Sequence, residues 1–376
     1  MPEEPYETFG YVANVIFPSG ALVVKDTLFI YYGAADTTVC RARVNLNDLI
    51  CSLSPKTQKN FKFNRFPGNP IITPDPTHAF EAQATFNPAA IELNKKIHLL
   101  YRAFSNDNTS VVGYAVTTNG VKIDERLPEP IYVPREPFET KRIPNANSGC
   151  EDPRVTKIGS RLYMCYTAFD GIGPARVAVT SIKVSDFLAR RFDWEKPFLI
   201  TPPGIDDKDT CIFPKKINGK YLVFHRIGTD ICADYLDSLD FKKGEMVNKC
   251  IKVMGPRGGG WDNVKVGITA PPIETPKGWL LFYHAVSKNH HSYRVGAALL
   301  DKKDPTVVLA RSTDPVFVPE EDYEKIGIVN NVVFPCGAVV RGGLVYLYYG
   351  AADKVLGVAT MKLSIILKAL ENGISF

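Results

Sequence analysis

The chain has 376 residues, of which 45% are hydrophobic and 23% charged, with a net charge of +5. That is enough apolar material for a sizeable core. The basic residues are scattered, and the mildly basic stretch Lys56–Lys62 is short, so a nucleic-acid partner is not expected. No apolar run approaches the ~18 residues of a membrane span. The N-terminal MPEEPYETFG has neither the charged nor the apolar region of a secretory signal. Eight cysteines, at 40, 51, 150, 165, 211, 232, 250 and 336, form no C-x-x-C pair. Their spacing suggests neither a metal site nor a disulfide framework, and they read as small core residues in a reduced, cytoplasmic protein.

In chain order, the first segment is also the last. PEEPYETFGYVANVIFPSGALVVKDTLFIYYGAAD (2–36) returns as PEEDYEKIGIVNNVVFPCGAVVRGGLVYLYYGAAD (319–353), with 20 identities in 35 ungapped positions. A duplication of this length points to repeat architecture. Between the copies, short runs rich in aromatic and β-branched residues alternate with Gly, Pro, Asn and Asp, as strands do. IHLLYRAF (97–104) precedes SVVGYAVTTNG (110–120). RLYMCYTAF (161–169) precedes RVAVTSI (176–182). KYLVFHRI (220–227), WLLFYHAV (279–286) and VYLYYGAA (345–352) repeat the pattern. Asn119–Gly120, Asn218–Gly219 and Gly342–Gly343 suit tight hairpins. The only helical candidates are SIILKALENG near the C-terminus and the short VSDFLARRF (184–192).

Units of three or four strands therefore begin near Val15, Phe86, Glu151, Ile212, Val266 and Val332. Recurrence of such units along the whole chain describes an all-β propeller, with a β-sandwich as the alternative. In a propeller, polar residues of the innermost strands converge on one funnel. Each unit offers some: Asn87 and Arg102, then Glu151, Asp152 and Arg154, then Lys208 and Arg226, then Lys265, His284 and Tyr293, and finally Asp353.

The motifs FNPAAI, LLYRA, GCEDPRV, FPKKINGKY, FHR, GITAPPIETPKGWLLFYHAV, GAALLD and PEEDYEKIGIVNNVVFPCG…LYYGAAD, in this order, resemble glycoside hydrolase family 130. The resemblance runs from about Asn69 to the C-terminus. It implies a five-bladed β-propeller and inverting phosphorolysis of terminal β-linked mannose, giving α-mannose 1-phosphate. On that resemblance Asp152 matches the catalytic acid. Lys208, Arg226 and His284 match phosphate-binding positions, although the family often has Arg where this chain has Lys208. Asn87, Arg102, Lys265, Tyr293 and Asp353 match positions around the mannose. The chemistry agrees. An inverting glycosidase needs a second carboxylate to activate water. A phosphorylase needs only the acid, together with cations to hold an already anionic nucleophile. No metal or organic cofactor is implied, and inorganic phosphate is the co-substrate. Mannosides and phosphate are then the partners, with no nucleic acid and no membrane. A homo-oligomer is left open, because a neighbouring subunit's rim loop often completes the acceptor site in related enzymes. A β-mannosyltransferase using GDP-mannose or mannose 1-phosphate, a phosphate-independent β-mannosidase and a non-catalytic glycan-binding propeller are the alternatives.

Other residues have plainer readings. Arg154 is expected to pair internally and orient Asp152 or Glu151. His225 alternates with Arg226 to the opposite face and is expected to be structural. Trp194, Trp261 and Trp279 are read as packing residues. His290 and His291 lie in a polar loop. The rim loops Ser105–Ser110, Asp170–Pro174 and Ser287–Ser292 are the expected determinants of linkage and acceptor. Residues 56–376 supply five units and every site position, so residues 1–55 are an extra copy of the last. The expected arrangement has the C-terminal copy in the ring, with Asp353 in the site and Asp36 as its idle twin. An N-terminal copy filling the slot, or a six-bladed ring, are the other outcomes.

Overall fold

The computed structural model describes residues 2–46, 49, 62–288 and 292–372. The chain forms two compact units, Met1–Asn60 and Phe61–Phe376. His290 and His291, and residues 51–61, lie outside the described residues.

The first unit carries one antiparallel sheet of strands β1 (Ile16–Val24), β2 (Thr27–Ala34) and β3 (Thr38–Asn45). A single helical turn, Pro5–Thr8, precedes it. In that turn the Glu4 and Glu7 side chains form a reciprocal capping box, which satisfies otherwise orphaned amide donors.

The second unit is built from antiparallel strands. β4 (Asn64–Arg65) comes first in sequence. Next come β5 (Ala84–Leu93), β6 (Lys96–Phe104), β7 (Thr109–Thr117) and β8 (Glu125–Arg126). The following set is β9 (Ser148–Ile158), β10 (Arg161–Phe169), β11 (Arg176–Lys183) and β12 (Phe198–Leu199). A short parallel pairing of β7 with β9, Thr109 opposite Ser148, joins these two sets into one sheet. A third set is β13 (Asp207–Ile212), β14 (Tyr221–Ile227), β15 (Asp230–Leu236) and β16 (Ile251–Met254). The fourth is β17 (Lys265–Ile268), β18 (Ile273–Thr275), β19 (Gly278–Val286), β20 (Tyr293–Leu300) and β21 (Val308–Arg311). The last is β22 (Val333–Arg341), β23 (Leu344–Ala351) and β24 (Val355–Lys362), to which β4 adds as the outer strand.

Neighbouring sets enclose apolar clusters. Leu100 and Tyr114 of the first meet Met164 and Tyr166 of the second. Val177 of the second meets Val223 of the third. Phe224 meets Trp279 and Leu281, and Phe282 meets Leu347 and Tyr349. Leu99 and Tyr101 of the first set meet Tyr348 and Leu356 of the last. Each fully buried side chain of this kind contributes about 1.5–3 kcal/mol, so the clusters fix the sheets against one another and with them the inner strands.

The observed elements differ from the sequence expectations at identifiable points. Asn218–Gly219 and Gly342–Gly343 do make tight turns, each with two positive φ values. Asn119–Gly120 does not. The Asn119 side chain accepts amide hydrogens from Val121 and Lys122 and opens a longer connection to β8. Val184–Leu188 and Leu363–Glu371 are helical as expected. The reading of all cysteines as unpaired core residues is corrected by a disulfide between Cys232 and Cys250. Cys232 lies on β15 and Cys250 just before its neighbour β16, so strand pairing brings the two together across 18 positions of sequence. Cys150, Cys165, Cys211 and Cys336 are buried and free. Among the described residues, no helix is long and apolar enough to cross a membrane.

Candidate active site

Three of the strand sets start with the same local distortion. Register slips between Phe86 and Ala89 in β5, opposite Cys165–Thr167 in β9, and between Lys208 and Cys211 in β13. At each slip one residue takes a positive φ: Asn87 (47°), Asp152 (51°) and Asp209 (57°). Asn and Asp tolerate this region better than most side chains. A bulge of this kind re-aims a side chain that regular alternation would send elsewhere. Here it aims three polar side chains into one cleft.

That cleft encloses about 680 Å³, partly open to solvent. All nine residues singled out from the sequence line it: Asn87, Arg102, Asp152, Lys208, Arg226, Lys265, His284, Tyr293 and Asp353. Glu151, Asp209 and Phe334 line it as well. A second opening of about 820 Å³ adjoins it and shares Arg102, Glu151, Lys208 and Asp353. Gly173 and Pro174, from an expected rim loop, border this opening.

The acid side of the cleft is tightly arranged. Asn87 Nδ2 donates to Asp152 Oδ1 at 2.8 Å. Arg102 Nη1 donates to the same oxygen at 3.3 Å, and its Nη2 donates to Glu151 Oε1 at 2.9 Å. Among the described residues no hydrogen bond reaches Asp152 Oδ2, which leaves that oxygen to a ligand. Asp353 also has a positive φ, 50°. Burial, helped by the charges of Asp152 and Glu151 and opposed by Arg102, pushes its carboxyl up to about 7.

The opposite side is cationic and organised by Asp209. Its Oδ2 accepts from Arg226 Nε at 2.6 Å and from His284 Nε2 at 2.9 Å. Its Oδ1 accepts from Arg154 Nη2 at 3.1 Å. Burial works against the charge on Asp209, but Arg226, His284 and Arg154 outweigh it and hold the carboxyl well below its ordinary range. The Lys208 side chain makes no hydrogen bond or ion pair among the described residues. The Lys265 ammonium stands 4.9 Å from the centre of the Tyr293 ring.

Asp209 is the residue that sequence reasoning missed, at the end of the run of four charged residues DDKD (206–209). The signal was positional: Asp209–Thr210 occupies the place of Asn87–Pro88 and Asp152–Pro153 at the bulge. The expectation for Arg154 is corrected in its partner. It pairs with Asp209 and donates to the Asp152 backbone carbonyl at 3.1 Å, not to the Asp152 or Glu151 carboxylate. His225 does turn to the opposite face. It is fully buried between Asp207 Oδ2 at 3.0 Å and Asp234 Oδ2 at 2.9 Å. Burial opposes its charge, but those two carboxylates push it up to about 9. Trp194 and Trp279 are buried, and Trp261 stacks on Tyr283.

A polar, sugar-sized cleft with a carboxyl on one side and a cation cluster on the other defines a carbohydrate-active site. The sequence model of the family described as beta-1,4-mannooligosaccharide phosphorylase matches residues 1–55 and again 55–372. The chain belongs to glycoside hydrolase family 130. A beta-1,2-mannobiose phosphorylase of Thermoanaerobacter sp. (strain X514) is 38% identical over 318 residues, covering 80% of this chain and 98% of the relative. A 1,2-beta-oligomannan phosphorylase of the same strain is 36% identical, covering 80% of this chain and 98% of the relative. The solved beta-1,2-mannobiose phosphorylase of Listeria innocua, in complex with beta-1,2-mannobiose, superposes with a TM-score of 0.68. It is 29% identical, covering 82% of this chain and 99% of that structure.

Proposed function

We propose that this chain is an inverting β-mannoside phosphorylase that transfers a terminal β-linked mannose to inorganic phosphate, giving α-mannose 1-phosphate. The observation that carries the reading is the bulge-presented acid Asp152 facing Lys208, Arg226 and His284 across one cleft. In this reading Asp152 supplies the proton to the leaving oxygen, and Asn87 and Arg102 fix its other oxygen. Lys208, Arg226 and His284 hold the phosphate. Asn87, Arg102, Lys265, Tyr293 and Asp353 hold the mannose. Phosphate is the co-substrate, with no other cofactor. The two Thermoanaerobacter relatives favour a β-1,2-linked substrate.

The sheet clusters, which link each set of strands to the next and the last to the first, support a five-bladed propeller over residues 56–376. Residues 1–55 are then the extra copy of the last blade. A cytoplasmic location suits an enzyme whose phosphate is drawn from the intracellular pool.

The test is product analysis on β-1,2-mannobiose with and without phosphate. Mannose 1-phosphate should appear only with phosphate, and Asp152→Asn should lose about 10²–10⁴-fold in rate, the usual contribution of a positioned acid. Free mannose formed equally well without phosphate would replace this reading by hydrolysis, and turnover only with GDP-mannose by mannosyl transfer.

A further inference from the structure

The His284–Asp209 contact does more than hold a ring in place. Asp209 is ionised and can only accept, so its 2.9 Å contact requires the hydrogen of a neutral His284 on Nε2. The other ring nitrogen, Nδ1, is then a lone-pair acceptor. It is buried and has no hydrogen-bond partner among the described residues, on a residue only 1% exposed that lines the cleft. A buried acceptor without a partner is costly and uncommon enough to need an explanation. The dyad also has a dedicated space. A Cβ at Gly267 of β17 would meet both His284 Nε2 and Asp209 Oδ2, so only glycine leaves room for the bond. Phe334 packs against the imidazole at 4.5 Å between ring centroids, with Tyr293 at 5.7 Å, and fixes the ring plane.

A neutral imidazole presenting Nδ1 cannot donate to a phosphate oxygen. It can accept. Resting on the phosphorolytic reading above, we infer that His284, oriented by Asp209, binds phosphate by taking a proton from it through Nδ1. The phosphate monoanion O–H gives its proton to Nδ1, leaving the dianion bound to an imidazolium beside Arg226 and Lys208. A phosphate oxygen then forms the bond to the anomeric carbon as the glycosidic C–O bond breaks, and the leaving oxygen takes the proton of Asp152. On release of the sugar phosphate, His284 returns one proton to solvent and Asp152 regains one, so the proton balance closes. Asp209 acts through His284 and is a positioning residue, as is Gly267.

Among the described residues, the charged and titratable groups that act on or pack against His284 are Asp209 on β13, Arg226 on β14, Arg154 on β9 and Tyr293 on β20. Burial, with the two arginines adding to it and Asp209 opposing, keeps the free imidazole below its ordinary range. The resting enzyme therefore meets phosphate with the nitrogen empty.

The experiment is calorimetric titration of the full-length protein with inorganic phosphate, at about pH 8.5, in buffers of differing ionisation enthalpy. There free phosphate is the dianion and His284 is neutral, so binding should take up about one proton, and the apparent Kd should rise about tenfold per pH unit. The uptake should vanish in His284→Gln and persist in Asp353→Asn, which removes a carboxyl of this cleft that could take up a proton instead. Phosphate binding without uptake, a pH-independent Kd, uptake retained in His284→Gln, or uptake lost in Asp353→Asn would each overturn the proton transfer while leaving phosphorolysis standing. Failure of the wild-type protein to bind phosphate at all would overturn both.

Discussion

The sheet β1–β3 and the sheet β22–β24 share register and the geometry of their aspartate-bearing turn but differ in surroundings. Ile16 pairs with Ala34 as Val333 pairs with Ala351, and both sheets slip at the same place, Pro18/Gly20 and Pro335/Gly337. Asp36 and Asp353 take φ values of 52° and 50°. Both copies open on a capping box, Glu4/Glu7 and Glu321/Glu324. Yet Phe17 is 67% exposed and its counterpart Phe334 is 8% exposed. The difference shows where chemistry comes from. Local sequence is enough to shape the turn that presents an aspartate. Only the neighbouring sheets make it a site, by adding burial, Arg102 and the Asp152 carboxyl.

The sharpest way to break this comparison is to remove each aspartate in turn. Asp353→Asn should lower kcat/KM for phosphorolysis by about a hundredfold or more, the usual loss when a preorganised polar contact in an active site is removed. Asp36→Asn should leave kcat/KM within about twofold, as surface substitutions away from a site generally do. Equal losses would show that both copies reach the chemistry.

The two capping glutamates test the same contrast in stability. Tyr32 donates to Glu7 at 2.6 Å and Tyr349 donates to Glu324 at 2.8 Å. Only Glu324 also has an arginine, with Arg65 Nε and Nη2 each at 2.8 Å, and it is fully buried. Breaking such a buried pair should cost about 3 kcal/mol. Glu324→Gln should therefore unfold at clearly lower denaturant, and Glu7→Gln should shift the midpoint much less. Similar shifts would mean that the arginine contributes little.

The same residues show how much was legible in the sequence. The duplication, the strands and the nine residues that line the cleft could be found, because period-two patterning and motif order are written along the chain. Asp209 was not found, since its value depends on Arg154, Arg226 and His284 arriving from three other strands. The Cys232–Cys250 bond was hidden for a similar reason, because the spacing between the two cysteines says nothing about the return of β16 onto β15. The Asn119–Gly120 hairpin was over-read. The dipeptide permits a tight turn, but the Asn119 carbonyl is engaged by two later amides.

Two glycines carry the comparison into packing. A Cβ on Gly350 would meet Asn87 Oδ1, the Asn87 amide nitrogen and Phe86 of β5, whereas a Cβ on its counterpart Gly33 would meet nothing within 4 Å. Gly350→Ala should therefore destabilise by about 1–3 kcal/mol through overpacking and disturb the Asn87–Asp152 contact. Gly33→Ala should be neutral or stabilise by about 0.5–1 kcal/mol, as loss of glycine freedom in a strand does. Thermal melts of the two variants should move in opposite directions.

The last expected effect is a pH dependence carried by Asp353. The Asp353 carboxyl moves from an ordinary carboxylate value to about 7 in the folded protein, with burial first among the causes and the Asp152 charge second. A group raised on folding binds more protons in the folded state. Its favourable contribution is complete below the unfolded value and is lost as pH rises through the folded one. Between about pH 4 and pH 7 this carboxyl should therefore remove stability from the free enzyme as pH rises, by about 1–3 kcal/mol once cleft solvent is allowed for. Asp353→Asn cannot ionise. It should melt higher than the wild type at about pH 8 and lose that advantage near pH 4, the reverse of its effect on catalysis. A variant that gains no stability at the higher pH would mean that Arg102 neutralises the Asp353 carboxylate as fast as Asp152 and burial disfavour it.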